Sequence, residues 1–154
     1  VPYVEEKIDV IGDINELFRL ISDVTLFPDF MEDVKSVEIL EEGDGWKVSK
    51  WVNDVDGRVI KWTEKDFILP DDFRINFELV EGDLKSYSGF WQLADKEDEP
   101  GVIDITFAID FEFGMPVIAA LIHPILARVL RTNMKQMLLA VKNKIEKIPV
   151  EVEN

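Results

Sequence analysis

At 154 residues, 47% hydrophobic and 32% charged, the chain has the size and composition of a single globular domain with one core. Its 32 acidic against 17 basic residues leave a formal net charge of −15, which argues against nucleic acid as a partner, since phosphate binding needs clustered Lys and Arg. There is no cysteine, hence no disulfide framework or thiolate chemistry, and the lone His123 makes a histidine metal centre or a Ser-His pair improbable. No metal and no cofactor is expected.

In chain order, residues 3–10 alternate, with Val4, Ile8 and Val10 on one face, and predict a first strand. Asp13 is placed to cap a helix, and Glu16 three residues on completes a capping-box pattern. Leu17, Leu20, Ile21 and Val24 give that helix its apolar stripe. The helix is expected to stop near Phe27-Pro28, with Pro28 in the first turn of a second short helix and Phe27, Phe30 and Met31 clustered at the corner.

Six strands follow at hairpin spacing, over 34–41, 46–53, 58–69, 73–80, 84–93 and 102–113. Each break carries Gly, Pro or Asp in a turn. Phe73, Ile75, Phe77 and Leu79 face one way, as do Ile103, Ile105, Phe107, Ile109, Phe111 and Phe113. A long helix over 116–148 closes the chain. Leu126, Val129, Leu130, Met137 and Val141 line one of its faces, and Asn133 falls among them. This helix carries six basic residues against Glu146 alone, so a basic helix complementing an acidic sheet is expected. His123, before Pro124, reads as structural, at a kink or boundary of the helix.

The pattern predicts an α+β grip: a seven-stranded curved antiparallel sheet with one apolar face, two short helices after the first strand, and a long C-terminal helix against the sheet. Residues 1–148 read as one domain and 149–154 as a short tail. The apolar run near 113–130 is broken by Pro116, His123, Pro124 and Arg128, so no integral membrane segment is expected; with no signal peptide visible, the expectation is a soluble, cytoplasmic protein.

Four stretches carry a resemblance: DVTLFPDFMEDVKSVEILE, VIKWTEKD, VEGDLKSYSGFWQL and GMPVIAALIHPILARVLRTNMKQML. With the order of elements, they resemble the START-like (SRPBCC, helix-grip) superfamily, in its polyketide cyclase/dehydrase and coenzyme Q-binding-like branch. The resemblance covers essentially the whole chain. It implies a deep cavity between sheet and last helix that takes a lipid, quinone, polyketide or other hydrophobic small molecule. Aromatase/cyclases of this family also place an arginine in the cavity near a tryptophan, whereas here the stretch after Trp62 reads Thr63-Glu64-Lys65-Asp66.

Tyr87, Gly89, Trp91 and Leu93 share a face of the sixth strand, and Gly89 leaves room opposite Trp91. Together with the resemblance, the aromatic bulk of the sheet makes Phe27, Phe30, Trp62, Phe77, Tyr87, Trp91, Phe107, Val129, Asn133 and Met137 the candidate ligand-binding set. Trp51 shares its face with Ser49 and Asn53 and could equally lie outside. In the fourth strand Glu64 and Asp66 share a face with Trp62, so Glu64 is the candidate catalytic residue, as general acid/base or as hydrogen-bond partner of a ligand hydroxyl. The plain alternatives are a bulge that re-aims the strand, or neutralisation by Arg128 or Arg131.

Three functions stay open: a carrier or binding protein for a hydrophobic ligand, a polyketide cyclase/dehydrase, and a regulatory module with a protein partner.

Overall fold

The computed structural model describes residues 3–55, 57–112 and 116–147; the side chains of residues 116–123 and 126 lie outside the description. That leaves out the expected tail at 149–154, Phe113 and the side chains of His123 and Leu126.

The elements run β1 (Tyr3–Ile11), α1 (Ile14–Ser22), a 3-10 turn (Val24–Leu26) and α2 (Phe27–Phe30). Then come β2 (Val34–Gly43), β3 (Trp46–Val55), β4 (Arg58–Leu69), a 3-10 turn (Pro70–Asp72), β5 (Arg74–Gly82), β6 (Ser86–Asp95), β7 (Val102–Glu112) and α3 (Pro116–Glu146). All pairings are antiparallel, in the order β1-β7-β6-β5-β4-β3-β2. The sheet is open and curved: α1 and α2 carry the chain from one edge strand to the other, and hairpins fill in the rest. This is the expected helix grip.

Local chemistry explains the elements. The Asp13 carboxylate accepts from the backbone N–H groups of Asn15 (2.7 Å) and Glu16 (3.2 Å), so the expected cap forms. Helix α1 ends earlier than expected, at Ser22. Asp23 leaves the helical conformation there, and a 3-10 turn intervenes before Pro28 enters the first turn of α2. Strands β2, β3, β5 and β6 run about two residues past their expected ends, because the turn residues continue the ladder. Pro124 lies inside α3.

The core is the apolar face of the sheet, closed by α1, α2 and the C-terminal half of α3. Leu17, Ile21, Phe27, Ile103, Ile105, Phe111, Met134, Leu138 and Val141 are almost fully buried. Helix α3 also seals the outer edge of β1. Lys142 donates to the Asp9 carbonyl (2.9 Å), Arg131 to the Glu5 carbonyl (3.3 Å), and the Ile11 N–H donates to Glu146 (2.9 Å). These three backbone groups point away from β7, so the helix satisfies an edge that would otherwise be open to another strand. Arg131 further pairs with Glu6 at 3.0 Å, which gives the basic helix part of its expected acidic complement.

Candidate functional site

The site is built from the row of side chains that β3 and β4 send to the same face. Register pairs Ser49 with Glu64, Trp51 with Trp62 and Asn53 with Ile60. Alternation then places Ser49, Trp51 and Asn53 beside Trp62, Glu64 and Asp66, and Ser49, Trp51, Asn53, Glu64 and Asp66 are all buried. Trp51 therefore faces inward; its polar row-mates mark a polar strip inside the core.

A bulge does occur here, between Thr63 and Glu64, but the extra residue is Val80 of β5. Strand β4 keeps its alternation, and Glu64 still points inward. The bulge needs Gly82: an added Cβ would lie 2.6 Å from Trp62 Cβ, and its φ of +152° suits glycine.

The polar strip meets a dense aromatic set. Trp51 stacks on Trp62 with centroids 5.5 Å apart, and Trp91 on Phe107 at 4.0 Å. Phe77 and Tyr87 lie at 5.3 Å, Trp62 and Tyr87 at 5.8 Å, and Phe27 meets Trp51 and Trp91 edge-on. Between them is an internal cavity of about 30 Å³, lined by Phe27, Trp51, Asn53, Trp62, Glu64, Asp66, Phe77, Tyr87, Trp91, Phe107 and Met137, with Ile21, Val24, Ile75 and Ile109. That is enough to hold at least one water-sized group. It is much smaller than the deep cavity implied by the resemblance, because the stacked rings occupy the volume.

The electrostatics of the cavity are unusual. Glu64 and Asp66 are each 4% exposed. Trp62 Nε1 donates to Glu64 Oε1 at 2.7 Å. Burial, then the Asp66 charge and a hydrogen bond to Asp66, push the Glu64 pKa well above the ordinary carboxylate value. Burial also raises Asp66, opposed by the Glu64 hydrogen bond and by the charge of Lys47. Tyr87 is raised well above 10.0 by burial and by the two acids, and stays a neutral phenol. Neither arginine reaches the pair: Arg131 is engaged with Glu5 and Glu6, and Arg128 lies in a surface groove. Among the described residues, Asn53 Oδ1 and Asp66 Oδ1 are buried without a hydrogen-bond partner.

Of the candidate residues, Glu64, Phe27, Trp62, Phe77, Tyr87, Trp91, Phe107 and Met137 come together on this cavity. Three do not. Phe30 lines an open groove of about 790 Å³ between α2 and the C-terminal half of α3. Val129 and Asn133 line an adjoining groove of about 450 Å³ on the same flank. Asn133 is turned from the cavity by Asp33, whose carboxylate accepts from its Nδ2 at 3.0 Å. Met137 lines both the cavity and the larger groove, so one flexible thioether side chain separates them. Asn53 and Trp51 are the residues that sequence reasoning missed; Asn53 stands two residues from a tryptophan, and that spacing is its only signal.

Among the described residues, no helix is long and apolar enough to cross a membrane.

Comparison with solved structures places the fold firmly. A Thermus thermophilus protein superposes with a TM-score of 0.86 at 19% identity, covering 97% of this chain and 100% of its own. The Zhui aromatase/cyclase of a Streptomyces species gives 0.86 at 23% identity, covering 95% and 94%. A START superfamily protein from Mycobacterium smegmatis gives 0.81 at 16% identity, covering 96% and 99%. Comparison with curated proteins finds no match. The sequence profile described as polyketide cyclase / dehydrase and lipid transport matches residues 13–138, and the chain belongs to that family.

Proposed function

We propose that the protein binds one apolar or aromatic small molecule in the space between sheet, α2 and α3, as a carrier or binding protein. One observation carries this reading: a polar strip with unpaired acceptors is buried inside an aromatic cavity, where a purely structural core would hold hydrocarbon. Family membership supports the same reading, since family and fold suit either hydrophobic ligand binding or polyketide cyclisation and dehydration. At about 30 Å³ the cavity takes only part of a ligand. The remainder would displace Met137 and extend into the groove beside Phe30.

Three of the four tryptophans, Trp51, Trp62 and Trp91, line the cavity and report on its contents. Titration with octylamine, octanol and 2-naphthol should give a saturable, one-to-one change in tryptophan emission for at least one probe. Val24→Leu, which adds a methylene to the cavity wall, should weaken it. No saturable change with any probe, or a change that Val24→Leu leaves untouched, would overturn the reading.

A cyclase/dehydrase is supported by the Glu64–Asp66 pair, which sets two buried carboxyls of raised pKa side by side within an aromatic enclosure. Product formation from a short poly-β-ketone mimic separates the two readings; its absence in the presence of binding leaves the carrier.

A further inference from the structure

The cavity wall leaves two buried acceptors unmet. Its two unpartnered buried atoms, Asn53 Oδ1 and Asp66 Oδ1, are both hydrogen-bond acceptors, in residues 3% and 4% exposed. Two of the three indole donors of the wall are already engaged: Trp62 Nε1 with Glu64 at 2.7 Å and Trp51 Nε1 with Ser49 Oγ at 2.8 Å. Among the described residues, no Lys, Arg or His lines the cavity. Lys47 of β3, opposite Asp66 in the register, acts on it through its charge, with no ion pair within 4 Å among the described residues. A ligand carbonyl or carboxylate would bring further acceptors to acceptors. A hydroxyl brings a single proton and no charge.

We propose that the ligand of this cavity is a primary amine on a slender apolar body, with its ammonium group held by Asp66, Glu64 and the Asn53 amide oxygen. An ammonium group supplies up to three N–H donors and the positive charge that the buried acid pair lacks. Size agrees: a cavity of about 30 Å³ takes a group as large as a water molecule, and an ammonium is that large. The alkyl or aryl body would pass Met137 into the groove. This inference rests on the binding function proposed above and narrows it to one ligand class.

The test is a matched series on the intact chain: octylamine, octanol and octanoate, with phenethylamine, 2-phenylethanol and 3-phenylpropanoate, titrated by tryptophan emission and by calorimetry. The inference expects each amine to bind at least about tenfold tighter than its alcohol, and the carboxylates not to bind. Asp66→Asn and Asn53→Leu, checked for folding by thermal melting, should weaken amine binding at least tenfold. Alcohols or carboxylates binding as tightly as amines would overturn the amine inference and leave the binding function standing. No binding by any of the six would overturn both. Because the series is read first on the unaltered chain, a variant that fails to fold does not remove the test.

Discussion

A buried carboxyl group that accepts from an indole beside a second buried carboxyl, as Glu64 does, ties stability to pH. Its folded pKa is raised by burial and by Asp66, so the folded chain keeps a proton to higher pH than the unfolded chain, which releases it once pH rises above the ordinary carboxylate value of 4.5. The stabilisation from this group is therefore complete below that value and lost as pH rises toward the folded pKa. Asp66, also raised, acts in the same direction. Glu64→Gln keeps an acceptor for Trp62 Nε1 and removes the ionisation. Thermal melting at about pH 5 and about pH 8 should show a smaller loss of stability for Glu64→Gln than for the unaltered chain. The repulsion among the other acidic side chains is common to both proteins and cancels in the comparison. Equal losses would mean that Glu64 is ionised in the folded state.

At the scale of elements, β5 and β6 show how the aromatic wall is made. Phe77 stands opposite Gly89, and its ring lies over the glycine. An added Cβ at Gly89 would lie 2.5 Å from Phe77 Cζ and collide with the Ala108 carbonyl of β7. Gly89→Ala is therefore predicted to cost about 2–3 kcal/mol, as overpacking does, read as a drop in denaturant midpoint with the slope unchanged. A loss below about 0.5 kcal/mol would show that the wall gives way easily. The strands themselves were legible because hydrophobic alternation is interrupted by Gly, Pro and Asp at each turn. Which face of β3 points inward was not, because Ser49 and Asn53 flank Trp51 and imitate an outer surface; only the pairing with Trp62 and Glu64 shows that the whole row is buried. Asn133 was similarly ambiguous. Its partner Asp33 lies 100 residues away, and no local pattern announces that bond. The fold followed from periodicity, whereas the size of the cavity followed from how the rings stack.

At the scale of the whole molecule, the parts form one arrangement. Helix α3 spends Arg131 and Lys142 on the edge of β1, and among the described residues no arginine pairs with the acids of the interior. Aromatic rings bring the cavity down to the size of one polar group and leave Met137 as the partition toward a large surface groove. Under the proposed binding function, the polar strip on β3 and β4 would give that small space its selectivity, and the neighbouring groove would give a longer ligand room outside it. The central claim is that a small molecule completes this interior. Native mass spectrometry of the purified protein, followed by extraction and identification of what is released, tests it most directly. The account predicts one bound apolar small molecule per chain, or one-to-one uptake of octylamine by chains purified empty. A bare chain mass that takes up none of the amines, alcohols or carboxylates would contradict it and leave the buried acids as part of a filled core.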